Sequence, residues 1–142
     1  MEQHDHATAA TNLQKLSTQE SMTLLRDKSY VGRVAFVVDG EPFILPVNYL
    51  AEGDSVVFST GKGTKLALLG AGAQVAFEVD NSRPFDHAGW SVVVHGTARD
   101  VTDPDEVERL RRGPLKSWAK QASQHWVRIS IAEITGRRLT RG

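Results

Sequence analysis

Residues 58–70, FSTGKGTKLALLG, place two lysines where a short helix should begin. Thr64 has the side chain of an N-cap, and KLALLG supplies a short helix that Gly70 ends. The unpaired N–H groups at a helix start carry partial positive charge, so acids are favoured there and lysines slightly disfavoured. Here Lys62 and Lys65 flank the start, and no acid occurs from Ser59 to Gly72. A bound anion reverses the sign of that cost, and the loop glycines let backbone N–H groups come close to phosphate oxygens. Two solvated lysines beside an ordinary cap would leave the same local pattern. The stretch is neither a P-loop, because Thr precedes Lys and the glycine spacing differs, nor a G-x-G-x-x-G dinucleotide turn.

The other residue types exclude more chemistry than they offer. There is no cysteine, which removes disulfides, thiolate catalysis and zinc–cysteine sites. His4 and His6 fall in a polar terminus and read as solvated. His87 and His95 could shuttle protons near neutral pH, but no carboxylate is placed by the sequence to orient either. Tyr49 could stack on a planar ligand or simply pack in a strand with its hydroxyl wet. No Ser-His-Asp triad, paired glycosidase carboxylates or metal cluster stands out. The net charge of zero hides a split: residues 1–107 carry 8 Lys/Arg against 15 Asp/Glu, and residues 108–142 carry 9 against 2. Such a split can mark a nucleic-acid surface, or two faces of one molecule or of a dimer.

The elements that must position these residues are mostly strands. At 142 residues the chain reads as one domain, residues 17–142, behind a polar, mobile tail, residues 1–16. Ser17 and Glu20 form a capping box for a short amphipathic helix. From Val31 the period changes to that of β-structure, with three runs separated by Asp39-Gly40 and Gly53-Asp54, both hairpin signals. Pro42 and Pro46 cannot donate to a ladder and belong near a strand end, a bulge or an edge. AQVAFEVDN and WSVVVHGTARDV give two further strands. TDPDEVERLRRGPLKSWAKQ reads as helical with a break at Gly113-Pro114. HWVRISIAEITG alternates, with Val127, Ile129 and Ile131 on one face and Trp126, Arg128 and Ser130 on the other. The fold class is therefore mainly β, a six-stranded antiparallel barrel with a few short peripheral helices. No apolar stretch approaches the roughly 20 residues of a membrane span, and the N-terminus lacks an apolar signal core, so a cytoplasmic location is expected.

In their order, GRVAFV, PFILPVNY, VVFSTGKGTKLALL, VAFEVD, GWSVVVHGTARDV and WVRISIAEITGRRL make the chain resemble the flavin-binding split barrels related to pyridoxamine 5'-phosphate oxidase. It is most similar to the small branch grouped with nitroimidazole-resistance proteins. The resemblance covers about Ser17 to Leu139. It implies a homodimer with FMN at the subunit interface. It places Pro46, Val47, Asn48 and Tyr49 along the flavin ring and ribityl chain, and Ser59 and Thr60 beside the flavin. Thr64 and Lys65, with Lys62 nearby, fall at its phosphate, and Trp90 and Ser91 on a further cofactor-lining strand. The sequence departs from the true oxidases at Ser91, where they have Gln, and in a shorter phosphate loop. GRRLTRG does not match their C-terminal substrate-binding Arg and His, so the resemblance implies flavin binding more than oxidation of pyridoxamine phosphate.

The expected function is an FMN-binding, flavin-dependent oxidoreductase acting on a small molecule. Trp126 and Arg128 could contact the partner subunit or the flavin, or form a surface cation–π pair. The alternatives are a split barrel holding haem, with His87, His95 or His125 as axial ligand, or a deazaflavin, and a non-enzymatic nucleic-acid-binding barrel using the C-terminal basic residues.

Overall fold

The computed structural model describes residues 11–27, 31–61, 63, 65–83, 88–115 and 124–141. Seven strands are present: β1 (Thr11–Leu16), β2 (Val31–Val38), β3 (Glu41–Glu52), β4 (Ser55–Gly61), β5 (Ala71–Arg83), β6 (Ala88–Asp100) and β7 (Gln124–Arg141). Two helices, α1 (Thr18–Arg26) and α2 (Pro104–Arg112), and a 3₁₀ helix at Lys65–Gly70 complete the described elements. No described helix is long and apolar enough to cross a membrane.

Local chemistry explains most of the boundaries. Ser17 Oγ accepts from the Glu20 N–H at 3.0 Å while the Ser17 N–H donates to Glu20 Oε1 at 2.8 Å, the reciprocal box that starts α1. Asp103 caps α2 through the Glu106 N–H, with Pro104 behind it. Asp39 and Gly40 both take positive φ, 52° and 79°, which turns β2 back as β3 with the twist of a two-residue hairpin.

Every described pairing is antiparallel, in the order β1-β7-β4-β3-β2-β5-β6, and β6 returns to pair with β7. The six expected strands thus form a barrel-like ring, and the expectation of six strands in all is corrected by β1. That strand lies outside the ring, on the Gly136–Arg141 half of β7. Residues 11–16 had been expected in the mobile tail. Their polar, Thr- and Lys-bearing sequence hides a strand held by backbone bonding, with Leu16 buried at its end.

Alternation divides the strands into two faces. Val34, Phe58, Phe77, Val79, Val92, Val94, Val127 and Ile129 fill the barrel and are inaccessible to solvent. Leu66 and Leu69 of the 3₁₀ helix plug one end of it. Trp126 and Arg128 share a face as expected, but that face is covered. Trp126 is 3% exposed and packs with Val57 of β4 and Leu110 of α2. Arg128 donates to Ser55 Oγ at 2.7 Å, to Glu52 Oε1 at 3.3 Å and to Glu106 Oε1. Arg109 binds both Glu52 oxygens at 2.7 and 3.1 Å. The hydrogen bond from Arg109, above all, holds the Glu52 carboxyl below the usual carboxylate range. Arg111 and Arg112 pair with Glu108. Much of the C-terminal positive charge is therefore matched to carboxylates inside this molecule, which fastens α2 to the β3–β4 hairpin.

Close approach fixes a second feature. At the β6–β7 irregularity beside His95, a Cβ on Gly96 would lie 2.1 Å from the Ser130 carbonyl oxygen. Gly96→Ala is expected to cost about 2 kcal/mol or more, because backbone must move to admit the methyl group. Gly40→Ala, at positive φ but in open space, should cost about 1 kcal/mol. Urea unfolding of both variants measures the difference.

Candidate functional site

The ring is incomplete between β3 and β4. Their ladder runs only from Glu52–Ser55 to Tyr49–Phe58. Beyond it, β3 stays on β2 through Glu41 while β4 stays on β7 through Gly61. The two strands part, leaving Pro46, Val47 and Asn48 on one lip and Ser59, Thr60 and Gly61 on the other. Pro42 and Pro46 sit on the stretch of β3 that has a single ladder partner, the edge position expected of them. At the plugged end, Lys65 Nζ lies 4.8 Å from the centre of the Phe43 ring, so the 3₁₀ helix reaches across to β3.

The fold brings together Pro46–Tyr49, Ser59, Thr60 and Lys65, but not all with side chains outward. Pro46 is exposed and Asn48 partly so. Val47 is buried and so is Tyr49, whose hydroxyl donates to the Leu25 carbonyl at 2.8 Å and whose ring meets Phe77 edge-on at 4.9 Å. The wet hydroxyl expected for Tyr49 is thus corrected: α1 supplies its partner. Ser59 is partly exposed, while Thr60 is buried. Lys62, Thr64 and His87 lie outside the described residues. Trp90 packs against the core and Ser91 pairs with Asp80 and Arg137. Along β7 they stand opposite Arg138 and Arg137, whereas Ser59 and Thr60 stand opposite Trp126 and His125, more than ten residues away on the same strand. One chain alone does not bring them to the split.

The outward face between these groups holds residues the sequence did not single out. Val31 stands opposite Asn48, and Arg33 opposite both Pro46 and Glu78. Arg33 reaches Glu78 Oε1 at 3.2 Å and Asp80 Oδ2 at 3.1 Å. Burial first, and then the hydrogen bond and charge of Asp80, push Glu78 up to about 7 against the opposing pull of Arg33. On the same outward face Val31, Val37 and Ile44 are exposed. The two carboxylates at i and i+2 in AFEVD were the available signal, since that spacing puts both on one strand face.

A second polar group lies at the plugged end. His125 of β7 stands opposite Thr60, and its Nε2 is 2.5 Å from Asp100 Oδ1. The contact is out of line for a hydrogen bond, and Nε2 has no hydrogen-bond partner among the described residues. Asp100 in turn presses on the end of the 3₁₀ helix, where a Cβ on Gly70 would fall 1.6 Å from Oδ1. His95 is exposed, 3.8 Å from Glu133. No group of three or more His, Cys, Asp or Glu suited to a metal occurs among the described residues.

A barrel split in this way, with a basic residue at the end of the gap, can be compared with known proteins. The family model described as pyridoxamine 5'-phosphate oxidase matches residues 17–138. The chain belongs to that family. The chain is similar to Rv0080 of Mycobacterium tuberculosis, 35% identical over an alignment of 136 positions that covers 92% of this chain and 88% of that one. The structure of the FAD binding protein from Mycobacterium smegmatis is 36% identical, with a TM-score of 0.78 over 91% of this chain and all of that one. A FAD-binding protein from Mesorhizobium loti, at 23% identity and a TM-score of 0.75, shares the fold over 92% of this chain and 99% of its own.

Within this family member the raised Glu78 has a consequence for stability. A carboxyl that keeps its proton longer in the folded state loses stability as pH rises from its ordinary value of 4.5 to about 7, and nothing further above that. Glu78→Gln, which cannot ionise, should therefore gain in Tm relative to the unaltered protein between these pH values and hold a constant advantage at pH 8. Thermal melts across that range check the sign; equal Tm differences at pH 5 and pH 8 would contradict it.

Proposed function

We propose that this protein binds a flavin nucleotide in the β3–β4 split and acts, as a homodimer, as a flavin-dependent oxidoreductase on a small molecule. The observation that carries the reading is the split itself, with Lys65 at the end away from the hairpin, beside Phe43. Lys65 is exposed and meets no carboxylate among the described residues, so its charge suits a phosphate. Pro46, Asn48 and Ser59 on the two lips offer one apolar and two polar surfaces for a ring and its polyol chain. The isoalloxazine ring, when bound, supplies the hydride chemistry. The chain's own residues hold it and exclude water, and a single catalytic acid or base is not required of them.

A second copy completes the site in this proposal. Trp90 and Ser91 lie too far along β6 and β7 to reach the split of their own chain, and the outward face carries exposed Val31, Val37 and Ile44 that a second copy can cover. FMN and FAD share the riboflavin phosphate that Lys65 would meet. The M. smegmatis relative named for FAD supports the dinucleotide, whereas the sequence resemblance points to FMN.

The first test is the absorbance spectrum of untreated protein, with extraction and mass measurement of any chromophore. The visible absorption of an oxidised flavin, and a released chromophore of the mass of FMN or FAD, are expected. Lys65→Ala should weaken FMN binding by about 1.5–3 kcal/mol, roughly ten- to a hundredfold, by loss of a charge-assisted contact. Riboflavin affinity and the apo-protein Tm should hardly move. A colourless protein that takes up no added flavin would overturn the proposal.

A further inference from the structure

Strand register sets the outward faces of β6, β5, β2 and β3 side by side in rows. One row runs Val93, Glu78, Arg33, Pro46, and a second runs His95, Ala76, Ala35, Ile44. In the row on the other side of Arg33, Ser91 stands opposite Asp80 and Val31 opposite Asn48. One further outward step of the β2–β5 ladder brings Asp80 beside Val31. Arg33, with 46% of its side chain exposed, uses Nη1 alone for Glu78 and Asp80, at 3.2 and 3.1 Å. Its Nε and Nη2 have no partner among the described residues, so it can donate to a second set of carboxylates. A two-fold axis running along the strands between β5 and β2 lays each row over its own reverse. Ser91 of the partner subunit then falls over Asn48, where the proposed site needs it. The same operation sets Arg33 over Glu78 of the partner subunit.

We infer that the Arg33–Glu78–Asp80 cluster is the centre of an isologous interface with a second copy of this chain, each Arg33 reaching the carboxyl groups of the other. The inference rests on the homodimer of the proposed function and names the face that forms it. Beside the axis the Ala35–Ala76 row carries only methyl groups, which lets two sheets approach to the roughly 10 Å of face-to-face packing. Val31, Val37 and Ile44, otherwise exposed, are covered on the same face. The outward face of a barrel is convex, so contact along β5 and β2 leaves a wedge on either side, between Asn48 and the partner's Ser91. Doubling the cluster sets four carboxyl groups against two guanidiniums. Glu78, raised to about 7 by burial and then by Asp80, keeps its proton below that and removes the excess negative charge.

Sedimentation equilibrium of the full chain tests the contact. Arg33→Glu makes the cluster wholly acidic, and Glu78→Lys combined with Asp80→Lys makes it wholly basic. Each protein alone should raise the dimer Kd about a hundredfold or more, because the like charges meet twice across the axis. Mixed in equal amounts, the two should form a heterodimer with a Kd within about tenfold of the unaltered value. Repair inside one chain cannot produce that result, since each variant keeps its own like charges. Ala35→Lys, on the outward face and outside the cluster, should also give monomers, and thermal melts establish that each variant is folded. A mixture that stays monomeric, or an Ala35→Lys protein as dimeric as the unaltered chain, would overturn the inference while homodimerisation stands. If the unaltered chain is itself monomeric, the homodimer reading fails and this interface goes with it.

Discussion

From Val47 back to Glu41, β3 has a ladder partner on one side only, and its second edge faces a gap rather than β4. Backbone N–H and C=O groups on such an edge need water, a side chain or a ligand, because buried main-chain polar groups are almost always paired. Pro42 and Pro46 lower that demand by removing two donors, and a strand with neighbours on both sides could not hold them. The gap also frees the chain after Gly61 to leave the sheet, turn, and lay the 3₁₀ helix across the barrel end. That is what carries Lys65 over to Phe43. The candidate site is thus a consequence of where one ladder stops.

Closure elsewhere makes the gap tolerable. The long β6–β7 ladder, from Gly89–Leu139 to Asp100–Val127, joins the last strand back to the ring. The Arg109–Glu52–Arg128–Glu106 cluster fastens α2 across the β3–β4 hairpin, where the two strands are still joined. Its members pair an arginine with more than one carboxylate and are partly shielded, the setting in which ion pairs define geometry more than they add stability. Tyr49 adds a hydrogen bond to the α1 carbonyl of Leu25 at the last paired position before the strands part. The split is therefore held at its root and open at its far end.

The two faces of the sheet divide the work. Inside, aliphatic and aromatic side chains fill the barrel. Outside, polar and apolar groups mix: Arg33, Glu78 and Asp80 lie among Val31, Val37 and Ile44. A residue's face follows from alternation, so that in PVNY only Pro46 and Asn48 point outward while Val47 and Tyr49 belong to the core. Any contact those inner residues make with a cofactor is left to their backbone.

What the sequence determined by itself was local. The Ser17–Glu20 box, the Asp39-Gly40 turn, the end of α2 before Gly113-Pro114 and the alternation through Val127, Ile129 and Ile131 each depend on residues within about four positions, where propensity and hydrogen bonding are set by the chain alone. The existence of the six ring strands was legible for the same reason. Register and coverage were decided by the tertiary structure. No local pattern tells that Thr11–Leu16 finds Gly136–Arg141, that α2 roofs Trp126, or that Arg128 meets Glu52 across 76 positions. Nor could the pairing of His125 with Asp100, or of Arg33 with Glu78 and Asp80, be read from spacing. Those contacts exist only once backbone ladders have brought distant strands to within about 5 Å of one another.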